Sequence, residues 1–401
     1  MLSKLSQITW KWPQADVRAR LSAARWLVAP FVAFAASRLG IFLAAYLGAH
    51  LLPDNVSPPL YHLRPPDNVL LDVFGSRWDT GFYLSIATEG YQYWGAPLPS
   101  VAFFPLYPLL IRLAMPLMGG DAMLAGIMVS HATLLLAAVL FYRLVSDEWG
   151  PEVANRAVWY LLIFPTAFFG SAVYSESLFL LTTIGAFYLA RKGYWKGAAL
   201  LAIATTLTRL VGLIIVPLLL LEWLRQYRQG EQPGWGALLA PALAPLGTGA
   251  YMAYLQRTFG DPLAFVHASA AWARTPRSPL VMLAELWQQP AEGWLPAILA
   301  GHLHMDNWTD FAFIMAFLAI AFALLVEQRW GEGFFVFLGV LIPLNSGLLM
   351  SQRRYVWVLF PAFILLARWG KHAWVDRAIT VLFITGLVLF TALFANGYWV
   401  G

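Results

Sequence analysis

Long apolar runs set the character of this chain. A helix that crosses a bilayer needs roughly 20 apolar residues. Runs of that kind fall near 26–50, 123–145, 154–174, 176–191, 236–256, 309–327, 333–351, 354–369 and 377–398. The hydrocarbon core offers the backbone no partner but itself, so each run reads as a helix. Residues 197–224 form one further apolar stretch, interrupted by Thr208-Arg209 and by Gly212. It is flanked by Arg191, Lys192 and Lys196 before it and by Arg225 and Arg228 after it. Basic flanks favour the cytoplasmic side, so two short half-helices that enter and leave on one face satisfy both ends. The stretch therefore reads as a re-entrant hairpin or a pair of short spans. The pattern predicts an all-α polytopic membrane protein, one integral domain over 1–401, with about 9–11 transmembrane helices.

Two longer segments break the pattern, 51–122 and 258–308. Structureless loops of that length are unusual unless they have a function. The first contains PPLYHLRPP, 58–66, which the prolines hold extended. Residues 101–118 carry Pro105, Pro108, Pro116 and Arg112, and read as a helix on the membrane surface rather than a span. No internal repeat is visible, which counts against many secondary transporters.

Charge fixes an orientation. With the N-terminus inside and 101–118 on the outer surface, the inner segments hold sixteen Lys and Arg. The outer ones hold eight, and Arg38 and Arg209 complete the 26. That asymmetry follows the positive-inside rule, and both long segments then lie outside. Composition agrees: only 12% of residues are charged, 60% are hydrophobic and the mean hydropathy is +0.64. The net charge of +5 suits topology rather than nucleic-acid binding. With no cysteine, disulfides, zinc thiolates and thiol nucleophiles are excluded. The first 25 residues are basic, with Lys4, Lys11, Arg18, Arg20 and Arg25, and no signal peptide is evident.

Candidate chemistry concentrates in RWDTGFYLSIATEGY, 77–91. Residues 78–87 read as a short helix with Trp78, Phe82 and Ile86 on one face, and Asp79 and Tyr83 on the adjacent one. Asp79 fits two readings, a helix cap or a catalytic carboxylate; Ser76 is an alternative cap. Arg38, inside the first apolar run, costs roughly 2.5–3.5 kcal/mol on insertion scales and needs a partner, an acid or a phosphate. Arg209 sits at the tip of the hairpin, where a cavity is expected. Glu176, in SAVYSESLFLL, either caps a helix with Ser175 or serves the site. Arg353, Arg354 and Tyr355 lie at an outer boundary, where arginine snorkels to the interface or grips a phosphate. His267 and Trp272, in GDPLAFVHASAAWAR, read as structural, and His131 as a satisfied interhelical donor. There is no P-loop, no G-x-G-x-x-G after a strand and no H-E-x-x-H. An activated substrate must then arrive from the membrane or from outside.

RWDTGFYLSIATEGY followed by VAFFPLYPLLIR, 101–112, resembles the signature of the PIG-V mannosyltransferase family and its prokaryotic relatives. FPTAFFGSAVYSESLFLL, TRLVG and RRYVWVLFPAFILLA resemble later blocks of the same family. The resemblance implies a GT-C-type membrane glycosyltransferase fold with surface helices in the first outer loop. It implies a polyprenyl- or dolichyl-phosphate sugar, typically mannose, as donor, an inverting mechanism, no cofactor and usually no metal. The active site would be extracytoplasmic, and the class places its catalytic aspartate in the first outer loop, at the position of Asp79.

Together these readings give an enzyme in which Asp79 is the base. Arg354, with Arg353, Tyr355 or Arg209, holds the lipid phosphate. Arg77 orients Asp79 or contacts substrate; Trp78, Tyr83, Glu176 and Arg38 complete the candidate binding set. The acceptor is a lipid, glycan or protein, and the expected location is a prokaryotic plasma membrane, or the ER membrane in a eukaryote. A transporter or lipid flippase and a non-catalytic assembly factor remain the alternatives.

Overall fold

The computed structural model describes residues 25–55, 68–288, 293–302 and 305–401. Lys4, Lys11, Arg18 and Arg20, the proline passage at 58–66 with Arg64, and Asp67 lie outside the described residues. Among the described residues the regular elements are all helical. The first half contains α1 (Arg25–Leu51), α2 (Val69–Gly75), α3 (Thr80–Thr88), α4 (Leu106–Ala114), α5 (Ala122–Trp149) and α6 (Pro151–Ile163). The middle follows with α7 (Glu176–Arg191), α8 (Trp195–Thr208), α9 (Ile215–Arg228), α10 (Leu239–Leu243), α11 (Leu246–Phe259) and α12 (Ala264–Ala268). The last part has α13 (Pro279–Gln288), α14 (Trp294–Ala300), α15 (Met305–Val326), α16 (Trp330–Leu344), α17 (Gln352–Trp357), α18 (Pro361–Trp369) and α19 (Ala373–Ala395).

Among the described residues, six stretches are long and apolar enough to cross a membrane: Trp26–Leu51, Ala122–Trp149, Leu210–Arg228, Trp235–Phe259, Met305–Val326 and Ala373–Ala395. Of the other expected runs, 176–191 is one unbroken but shorter helix, α7, and the rest are interrupted. The run 154–174 stops at Ile163, because Pro165 holds Phe164 extended (φ −54°, ψ 145°). The run 354–369 divides into α17 and α18 around the non-helical residues 358–360. The run 197–224 becomes α8 and α9, which meet at an extended Arg209 (φ −156°, ψ 148°). Gly212 lets this junction fold back on α8, since a Cβ there would meet the Thr205 carbonyl oxygen at 2.5 Å. The segment 101–118 is too short to span: α4 between two 3₁₀ turns, Ser100–Ala102 and Met115–Met118, with Leu109, Leu113 and Leu117 exposed and Tyr107, Ile111 and Ala114 buried against the bundle.

Successive long helices run up and down, so their connections collect at two ends. At one end lie the α5–α6, α7–α8, α15–α16 and α18–α19 turns. Here Arg191 is ringed by Glu148, Glu222 and Glu332, with Nη2 2.6 Å from Glu332 Oε1. Arg329 joins Glu148 to Glu332 at 2.5 and 2.6 Å. A cavity of about 640 Å³ opens among these groups. At the other end lie α3, the start of α7, the α8–α9 junction and α17. This end gathers the polar motifs singled out in the sequence.

Candidate active site

Arg77 and Asp79 have different partners. Arg77 turns to Asp72 of α2, with Nη2 to Oδ2 at 2.6 Å and Nε to Oδ2 at 3.2 Å. The Ser76 hydroxyl donates to the other Asp72 oxygen at 2.5 Å. Arg77 therefore supports α2 and does not orient Asp79, the first of the two roles expected of it. Between them Trp78 adopts a left-handed backbone (φ 59°), a sparsely populated conformation for a bulky residue. The helix consequently begins at Thr80, and Trp78 leaves the expected Phe82–Ile86 face to pack on Trp399, ring centroids 5.1 Å apart.

Asp79 occupies the N-cap position of α3 but makes no side-chain cap bond, and Ser76 is engaged elsewhere. Its Oδ2 instead accepts from Arg354 Nη1 at 2.8 Å, and its backbone N–H donates to the Tyr174 hydroxyl at 3.2 Å. The Asp79 side chain is 21% exposed, against 6% for Arg354. The open edge of the pair is the carboxylate, so Asp79 is accessible without being a cap.

Glu176 stands on the far side of Arg354. Its Oε1 lies 2.6 Å from Arg209 Nη1 and 3.4 Å from Arg354 Nε. Its Oε2 is buried without a hydrogen-bond partner, an acceptor available to a hydroxyl donor. Ser175 makes no cap bond and shares its hydroxyl with buried Tyr83 at 2.9 Å, so capping explains neither residue. Tyr83 thus meets the site through Ser175, and its hydroxyl makes no hydrogen bond to Asp79 or Glu176. Asp79, Arg354, Glu176 and Arg209 thus form an alternating chain of charges drawn from four separate segments.

Tyr355 closes that chain. Its hydroxyl accepts from Arg274 Nη2 at 2.9 Å and from Arg354 Nη2 at 3.4 Å, and Arg209 lies over its ring at 5.4 Å. The helix that carries it, α17, lies outside the candidate spans. Burial opposes ionisation of the phenol, but the guanidiniums of Arg274, Arg354 and Arg209 outweigh it and bring the pKa down to about 8. Three guanidiniums against two carboxylates leave one positive charge in excess, a setting suited to an anion. Among the described residues no three His, Asp or Glu side chains gather where a metal ion would fit.

Other candidates fall elsewhere. Arg353 turns away from Asp79, to Asp306 at 2.8 Å and Asp310 at 3.5 Å, because neighbouring residues of α17 project in different directions. Arg38 meets neither an acid nor an anion site: it donates to the carbonyls of Leu162 and Ala167, each at 3.0 Å, and to Ser171 at 3.1 Å. It thereby satisfies carbonyls left open where α6 ends. His131 bonds within its own helix, Nδ1 to the Ile127 carbonyl at 2.8 Å, rather than across helices. His267 pairs with Asp261, and Trp272 packs edge-on against Phe82 and Phe103. Sequence reasoning missed Arg274 and Trp399. Arg274 ends the conspicuous GDPLAFVHASAAWAR stretch, but nothing local ties it to Tyr355.

Residues 42–229 match the family Mannosyltransferase (PIG-V). The resemblance carried by the RWD and YSES blocks is borne out over that stretch, which holds Asp79, Glu176 and Arg209; Arg354 and Tyr355 lie beyond it. Two curated proteins are also similar over part of the chain. The GPI alpha-1,6-mannosyltransferase 2 of Cricetulus griseus is 36% identical over 181 residues, 42% of this chain and 36% of the relative. That of Homo sapiens is 32% identical over 187 residues, with the same coverage. This chain thus matches 36% of the length of those curated relatives. A solved structure of ArnT from Cupriavidus metallidurans bound to undecaprenyl phosphate aligns at a TM-score of 0.47 with 13% identity, over 94% of this chain and 77% of that one.

Proposed function

We propose that this chain is an inverting membrane mannosyltransferase of GT-C type. It moves a sugar from a polyprenyl-phosphate donor to a lipid, glycan or protein acceptor on the extracytoplasmic face. The observation that carries the reading is Asp79: an accessible carboxylate within the PIG-V-like stretch, free of capping duty and held beside the buried Arg354. The acceptor hydroxyl loses its proton to the free edge of Asp79 as its oxygen attacks the anomeric carbon. The bond from that carbon to the phosphate oxygen breaks, and the sugar inverts. A base so placed contributes about 10²–10⁴-fold. The departing lipid phosphate gains negative charge, which the Arg354, Arg274 and Tyr355 group is built to receive. The buried Glu176 Oε2 is suited to take a sugar hydroxyl.

The test is transfer by the purified, reconstituted protein from a panel of polyprenyl-phosphate sugars, with the anomeric configuration of the product read by NMR. Transfer with inversion from the mannosyl donor supports the reading. Failure to transfer or hydrolyse any donor of the panel removes it.

A further inference from the structure

The last helix does not end the structural contribution to the site. Beyond Ala395, the N–H groups of Gly397 and Tyr398 bond back to the carbonyls of Phe394 and Leu393, at 3.1 Å each. Gly397 takes the left-handed conformation (φ 75°) that this helix end requires. The chain is thereby reversed and laid across the end of the bundle. Asn55 fixes it there: its backbone N–H donates to the Asn396 carbonyl at 2.8 Å and its side-chain amide to the Gly397 carbonyl at 3.3 Å. Val400 is buried, and Gly401 lies against the Phe169 ring and the Arg354 stem, so closely that a Cβ there would sit 2.3 Å from Phe169 Cζ.

The consequence falls on Arg354. Its guanidinium lies 5.2 Å from the Trp399 ring centroid, 5.4 Å from those of Phe169 and Tyr174, and 5.1 Å from that of Tyr355. Three of these rings stand in or beside the motifs already described; the fourth arrives only because the segment folds back. Trp399 also packs on Trp78, the strained residue preceding Asp79. Arginine is the cation that stacks most readily on aromatic faces, and such contacts strengthen when water is excluded.

We propose that Trp399 is a positioning residue for Arg354. The strap formed by residues 396–401 completes an aromatic box that holds the guanidinium toward Asp79 and toward the phosphate of the donor. Donor affinity is then set partly by a residue that touches no reacting atom. This inference rests on the polyprenyl-phosphate reading above.

The experiment uses the full chain in detergent, as wild type, Trp399→Ala and Trp399→Phe. Undecaprenyl phosphate binding and the donor dependence of sugar transfer are measured, with thermal unfolding as a control on folding. Trp399→Ala is expected to weaken undecaprenyl phosphate binding and raise the donor KM about tenfold, the scale of one desolvated cation–π contact. Its kcat stays within about threefold, and Trp399→Phe, which keeps a ring over Arg354, restores most of the affinity. A merely structural residue would lower stability without this split. Wild-type binding with unchanged affinity in Trp399→Ala overturns the inference and leaves the proposed function intact. A fall in kcat at constant KM overturns it too. Wild-type protein that binds no polyprenyl phosphate removes both.

Discussion

Arg354 and Asp79 lie 275 residues apart in the chain and meet at 2.8 Å. The contact joins α17 to the N-cap of α3, so the site exists only when the two halves of the bundle are assembled. Arg354 also faces Glu176, and Glu176 holds Arg209. Each charge in this low-dielectric setting depends on its neighbours, because an isolated buried charge is far more costly than a paired one.

Arg354→Lys separates charge from geometry. Lysine keeps the positive charge but offers one ammonium in place of a planar fork, and cannot face Asp79, Glu176 and Tyr355 together. Sugar transfer is expected to fall by at least about tenfold, with a raised donor KM. Steady-state kinetics on the reconstituted variant check this.

Tyr355 gives a pH signature. Its folded-state pKa is about 8, below the ordinary 10.0, because guanidiniums face its hydroxyl. Between those values the unfolded chain binds the extra proton, so stability rises with pH across that window. The contribution is complete above about 10 and is lost as pH falls through about 8. Ultraviolet titration should therefore find one tyrosine ionising near pH 8, absent from Tyr355→Phe.

Much of this was legible in the sequence. Apolar runs gave the helical class, and RWD and YSES marked the site end, because composition and short motifs are local properties. The partners of each charge were not legible. Arg77 is near Asp79 in sequence yet serves Asp72, while Arg354 is remote and serves Asp79. Arg353 and Arg354 look interchangeable as text, but adjacent residues of one helical turn point to different neighbours, Asp306 and Asp79. Helix breaks at Phe164 and at 358–360 fall inside runs that hydropathy alone reads as continuous, although Pro165 and Pro361 directly follow them.

Arg38 is assigned to structure. Arg38→Met removes the donors to Leu162, Ala167 and Ser171 and leaves buried carbonyls open. A loss of at least about 2 kcal/mol of stability is expected, with transfer per folded molecule nearly unchanged. Thermal unfolding alongside specific activity tests both halves of that statement.

Arg191 plays the corresponding part at the opposite end. Arg191→Ala leaves Glu148 and Glu332 to Arg329 and Glu222 to Arg225, with Glu222 and Glu332 still buried and short of one cation. Removing the sole partner of a buried charge costs about 3–5 kcal/mol; here Arg329 and Arg225 remain, so a smaller loss, read as a lower unfolding temperature, is expected. Arg191→Ala combined with Glu222→Gln should recover part of the loss.

The most direct measurement is sugar transfer by Asp79→Asn in reconstituted protein, set beside its unfolding temperature. Asparagine preserves the size and shape of the side chain but cannot take a proton from the acceptor. The account predicts a folded protein that still binds undecaprenyl phosphate and has lost at least about 10²-fold in kcat. A folded variant with wild-type kcat would contradict it and remove Asp79 from the chemistry.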